Sequence, residues 1–84
     1  MNNKVLVEIL VPEIEETYTV FLPTNKRVGN ILVLITKAIN DLSNGNYEVT
    51  TRNALYNRIT GEKYSLNSII RETDIRNGSK LVLL

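Results

Sequence analysis

The chain contains no cysteine and no histidine. The first absence excludes disulfides, thiolate metal sites and thiol catalysis, and it fits a reducing cytosol. With histidine missing too, acid–base or nucleophilic chemistry would fall to carboxylates, lysines and hydroxyls, and no constellation of these stands out. An excess of charge is also lacking: 10 Lys and Arg oppose 9 Asp and Glu, for a net charge of +1. Such a balance provides no general field to hold nucleic acid or an anionic membrane. Long hydrophobic runs are absent as well. The opening "MNNKVLVEILVPEIEE" has one lysine and a seven-residue apolar stretch interrupted by Glu8, too short for a membrane span and without a small-residue cleavage site. The expectation is a cytoplasmic protein that is not an enzyme, with no cofactor, no metal, no nucleic-acid partner and no direct membrane insertion.

What is present is an ordinary globular composition, 43% apolar and 23% charged over 84 residues. One domain over residues 1–84 is expected, burying roughly 60 to 65% of the surface of its unfolded chain. From Lys4 to Val11, alternate positions carry Val5, Val7, Ile9 and Val11, the period of two that turns one strand face into a core. Pro12 cannot donate to a ladder, and Glu13, Glu15 and Glu16 need water, so a hairpin turn follows. "TYTVFLP" alternates again, Tyr18, Val20 and Leu22 against Thr17, Thr19 and Phe21, until Pro23 closes the second strand.

Thr24 or Asn25 is placed to cap a helix from about Lys26 to Leu42, with Val28, Ile31, Ile35, Ile39 and Leu42 on one face. Leu32, Val33 and Leu34 widen that face, either as a broader buried stripe with one or two exposed members or as a docking surface. Asn44-Gly45 suits the helix end. "SNGNYEVTTRN" reads as a polar, mobile connection pinned by Tyr47 and Val49. "ALYNRI" reads as a third strand, "TGEK" as a turn, and "YS" as the start of a short fourth strand. Leu66, Ile69, Ile70 and Ile75 are expected in the core, and Asn77-Gly78 turns the chain into the final strand, "KLVLL".

A hairpin, one long helix and a returning strand resemble the β-grasp, and "LNSIIRETDIRNGSKLVLL" is similar to the carboxyl-terminal third of ubiquitin-like domains. There Ile70, Ile75, Asn77-Gly78-Ser79, Leu81 and Leu83 hold the matching positions. The resemblance implies an α+β, ubiquitin-like β-grasp with a mixed four- to five-stranded sheet crossed by one helix. Within that superfamily, "VGNILVLITKAINDL" and the ending "KLVLL" resemble the bacterial YukD group, which implies an accessory role in type VII secretion. Conjugable relatives and sulfur carriers present a slender Gly-Gly tail to an activating enzyme. Here the last residues are Leu83 and Leu84, so the expectation is a domain that is not conjugated. The alternatives are a modifier or sulfur carrier whose Gly-Gly tail lies outside the given sequence, and a structural domain of a larger secretion protein.

Other candidate chemistry is weak. Glu13, Glu15 and Glu16 lack the glycine-turn spacing of a calcium loop, and Thr60-Gly61-Glu62-Lys63 lacks the loop-then-helix context of a phosphate cradle. Arg52, Arg58, Lys63, Arg71, Arg76 and Lys80 gather in the second half of the chain, a secondary pointer to an acidic protein partner.

The sheet face opposite the helix is more informative. If Val5, Val7, Ile9, Val20, Leu22, Leu81 and Leu83 point inward, alternation sends Leu6, Leu10, Phe21, Val82 and Leu84 outward, flanked by Lys4, Glu8 and Lys80, with Tyr56 and Arg58 extending the set. A contiguous apolar patch with a charged rim marks a protein-binding surface, for another protein or for a second copy in a homodimer. The competing reading is that the amino-terminal hairpin or the polar connection folds over these residues.

Overall fold

The computed structural model describes residues 3–84. Strand β1 (Lys4–Val11) turns through a 3-10 segment at Pro12–Ile14 into β2 (Glu16–Pro23). Helix α1 (Val28–Leu42) follows, then β3 (Leu55–Asn57), a second 3-10 segment at Ile70–Glu72, and β4 (Lys80–Leu83). The sheet order is β2-β1-β4-β3. Strands β1 and β2 pair antiparallel over their whole length, β4 lies parallel to β1, and β3 closes antiparallel against β4.

Period-two burial produces this layering. Val7, Ile9 and Val11 of β1, Leu22 of β2, Leu55 of β3, and Leu81 and Leu83 of β4 face inward, where Val28, Ile31, Leu32, Ile35 and Ile39 of α1 meet them. Val5, Tyr18 and Val20 pack half-buried at the margin, while Ile70 and Ile75 close one end of the core.

The helix starts at Val28, two residues later than the capping pattern predicts, and neither Thr24 nor Asn25 caps it. The Thr24 hydroxyl bonds the Asn3 carbonyl instead. The free amides of the first turn are taken by the 66–68 segment: Val28 N–H donates to the Ser68 carbonyl at 2.8 Å and Gly29 N–H to that of Leu66 at 2.9 Å. Backbone carbonyls thus satisfy the orphan donors of the helix start in place of a side chain. Gly29 permits the approach, since a Cβ there would stand 3.2 Å from the Leu66 oxygen.

Three further expectations change. Leu42 fits the helical stripe but is 63% exposed, because the last turn of α1 has reached the β2 margin, where Ile14 and Tyr18 are only half-buried. Leu66 is half-exposed rather than core, Ile69 is only partly buried, and Val49, expected to pin the polar connection, is itself half-exposed. The expected fourth short strand at Tyr64-Ser65 is a single bridge between Tyr56 and Lys63, reinforced by Tyr64 N–H to the Leu55 carbonyl at 2.9 Å. The sheet therefore has four strands. The 43–53 connection is anchored at its start: Tyr47 is buried, its carbonyl accepts from Asn40 Nδ2 at 2.7 Å, and its hydroxyl accepts from Asn53. Burial and the nearby charge of Glu13 push that hydroxyl above its usual pKa. The turns at Asn44-Gly45 and Asn77-Gly78 form as read, Gly78 at φ +87°.

Candidate protein-interaction surface

The register of the sheet sorts its outer face into rows. One row runs Thr17, Leu10, Val82, Tyr56 across β2, β1, β4 and β3. Leu84 lies beyond Val82, tied to Ala54 by backbone bonds of 2.8 and 3.0 Å. The next row is Thr19, Glu8, Lys80, Arg58, the last placed by its N–H to the Lys80 carbonyl at 2.9 Å. A third row pairs Phe21 with Leu6. All eight residues singled out from the sequence, Leu6, Leu10, Phe21, Tyr56, Arg58, Lys80, Val82 and Leu84, therefore share this face.

Phe21 is 61% exposed, Leu84 59% and Leu6 38%, so neither the hairpin turn nor the 43–53 connection covers them. Leu10, Val82 and Tyr56 are half-buried by their neighbours. Yet the expected contiguous patch is two apolar strips, parted by the charged row. Glu8 occupies the same strand face as Leu6 and Leu10, midway between them, and receives a 2.8 Å bond from Arg58 Nη2. The bond spans β4, because Glu8 lies on β1 and Arg58 just beyond β3. Arg58 first, then Lys80, hold the Glu8 carboxyl below its usual range. Part of the basic excess of the second half is thus satisfied internally. Arg76 Nη1 likewise donates to the Thr73 and Ile75 carbonyls.

A second concave surface lies on the other side of the molecule, where α1 meets the 49–53 segment. Gly29, Leu32, Val33, Lys37, Val49 and Leu66 are among the residues around a groove of about 530 Å³. From the sequence, Leu32, Val33 and Leu34 widen the helix face, Val49 pins the polar connection and Leu66 belongs to the core. Among the described residues no group of His, Cys, Asp and Glu is arranged to hold a metal ion, and no helix is long and apolar enough to cross a membrane.

No family model and no curated protein sequence matches the chain. Solved structures do match it. The amino-terminal ubiquitin-like domain of the 4931431F19Rik protein superposes with a TM-score of 0.76 at 19% identity, over all of this chain and 76% of that one. The ubiquitin-like domain of the Arabidopsis thaliana protein At2g32350 gives 0.68 at 19% identity, covering 99% and 78%. The chain has the ubiquitin-like fold. A chain of the MycP5-free ESX-5 inner membrane complex also matches, at TM-score 0.73 and 21% identity, over 99% of this chain but only 21% of its own length. At these identities the likeness is one of fold. In this ubiquitin-like frame β1 and β4 are the central parallel pair; the strip of Leu10, Val82 and Tyr56 crosses both, and that of Leu6 and Phe21 lies on β1 and the edge strand β2.

Proposed function

We propose that the protein is a non-catalytic interaction module that seats a partner protein on the outer face of its sheet, as a cytoplasmic accessory of a type VII secretion system. One observation carries the reading: Leu6 and Phe21 on one side, and Leu10, Val82, Tyr56 and Leu84 on the other, form apolar strips that no described segment covers. Exposed apolar surface with charged residues beside it is the composition of protein interfaces. The Glu8–Arg58 pair between the strips adds orientation, because a partner must offer apolar side chains on both sides and polar groups over the middle. Exposed Lys80 in the same row favours a carboxylate on that partner.

The secretion role rests on the resemblance of α1 and the last strand to the YukD group, and the likeness to an ESX-5 inner membrane complex chain supports it. The test is capture of the tagged protein from its native cell, with parallel native and denaturing washes before mass spectrometry. A secretion-system component retained natively and lost on denaturation supports the module. A partner that survives denaturation as an adduct through the carboxyl terminus overturns it in favour of a protein modifier.

A further inference from the structure

The two edges of the sheet are treated differently. Strand β3 is short and shielded: Asn57 N–H bonds the Glu62 carbonyl at 2.8 Å, and the 63–64 segment bridges back to Tyr56 and Leu55. Strand β2 is eight residues long, pairs with β1 without a bulge, and has no neighbour on its far side among the described residues. Its stretch "TYTVFL" carries no charge. Long, flat, uncharged edges are what sheet proteins normally blunt with lysine, proline or bulges.

The direction of the unpaired groups follows from the ladder. Glu8 N–H points toward β4, to the Ser79 carbonyl at 3.0 Å, and Thr24 N–H closes onto the Asn3 carbonyl at 2.7 Å on the β2 side. Alternation along antiparallel strands then assigns the odd-numbered residues of β1 and the even-numbered residues of β2 to their mutual pairing. The backbone N–H and C=O groups of Thr17, Thr19 and Phe21 therefore aim outward from the free edge. Pro23 would be the next donor and has none, while Glu15, at φ +54°, ends the other side.

We propose that this edge pairs antiparallel with β2 of a second copy of the chain, making an eight-stranded sheet across a two-fold axis at Thr19. The three outward residues specify that register by themselves. Thr17 faces the partner's Phe21, Thr19 faces the partner's Thr19, and Phe21 faces the partner's Thr17, each facing pair exchanging two hydrogen bonds. On the inner side half-buried Tyr18 meets the partner's Val20, an aromatic and β-branched cross-strand pair. Glu16 falls opposite the partner's Leu22, so no like charges meet. The contact is self-complementary and uses up the uncovered edge of each copy, so the assembly closes at two. It leaves the strip of Leu10, Val82 and Tyr56 free.

Because the chain has no cysteine, single introduced cysteines read the register cleanly. In a hydrogen-bonded facing pair the two Cα atoms lie about 5.5 Å apart, within disulfide reach. Thr19→Cys is expected to give a covalent dimer under mild oxidation. Thr17→Cys is expected to stay monomeric on denaturing gels, since two copies of residue 17 lie about 14 Å apart along the paired strands. The double variant Thr17→Cys with Phe21→Cys should cross-link again. Sedimentation equilibrium of the unmodified chain should show its mass rising from one chain to two with concentration, and Thr19→Lys, which sets two ammonium groups side by side on the axis, should abolish that rise. A mass of one chain at every concentration overturns the proposal, and so does equal cross-linking of Thr19→Cys and Thr17→Cys. An extended segment of another protein protecting the Thr17, Thr19 and Phe21 amides in place of a second copy overturns it too.

Discussion

Glu8 and Arg58 give the outer face its pH signature. The guanidinium bond and the Lys80 charge hold the Glu8 carboxyl below its ordinary value of 4.5. A carboxyl lowered by folding stabilises the native state fully above its unfolded pKa, and the contribution is lost as pH falls through the lower folded value. An NMR titration should therefore place the Glu8 midpoint below 4.5, and Arg58→Ala should move it upward. An unmoved midpoint would mean that the pair does not persist in solution. Tyr64 and Asp74 form the second informative contact, hydroxyl to Oδ1 at 2.6 Å, with Asn57 Nδ2 on the other carboxylate oxygen at 3.2 Å. Burial first, then the hydrogen bond to Asp74, drive the Tyr64 hydroxyl well above its usual pKa. Tyr64→Phe should lower stability in urea unfolding by about 1 kcal/mol, the net worth of one such bond. Neither contact was legible in the sequence: Glu8 meets Arg58 fifty residues away only through the sheet register, and Tyr64 meets Asp74 across irregular segments whose path local patterning leaves open.

The elements were legible to the extent that local periodicity determines them. The alternation of Val5, Val7, Ile9 and Val11 and the spacing of Val28, Ile31, Ile35 and Ile39 correspond to the buried faces of β1 and α1. Periodicity says which side of a helix is apolar, but not where the opposing layer stops, and Leu42 shows the difference. Ile39→Ala should cost about 2–5 kcal/mol, whereas Leu42→Ala should stay within about 0.5 kcal/mol of the parent. Comparable losses at both positions in urea unfolding would place the end of the core beyond Leu42. The helix starts later than its capping pattern for a related reason. Thr24 has the chemistry of a cap, yet the carbonyls of Leu66 and Ser68 already occupy the donors, and only the fold brings them there. In the turn before β4, Gly78 sits at φ +87°, so Gly78→Ala should destabilise by about 1–3 kcal/mol, measured the same way.

For the whole molecule, the sequence groups these residues on one outer sheet face but leaves the texture of that face open. Alternation alone sends Leu6, Leu10, Phe21, Val82 and Leu84 outward, and the resemblance in the last third of the chain supplies the parallel β1–β4 pairing that gathers them. Alternation also puts Glu8 between Leu6 and Leu10, dividing the patch; what it leaves open is Arg58, whose place opposite Lys80 depends on the register of a three-residue strand. The helix-side groove at Val33, Val49 and Leu66 is a second apolar surface, so the two faces must be distinguished by experiment. The decisive measurement is capture from the native cell with three folded baits: the parent chain, Leu6→Glu with Val82→Glu, and Val33→Glu. Circular dichroism and urea unfolding first establish that each bait is native. The partner held by the parent is expected to be kept by Val33→Glu and lost by the Leu6→Glu, Val82→Glu double variant. Retention by that double variant, or loss by Val33→Glu alone, would contradict the assignment of binding to the outer sheet face.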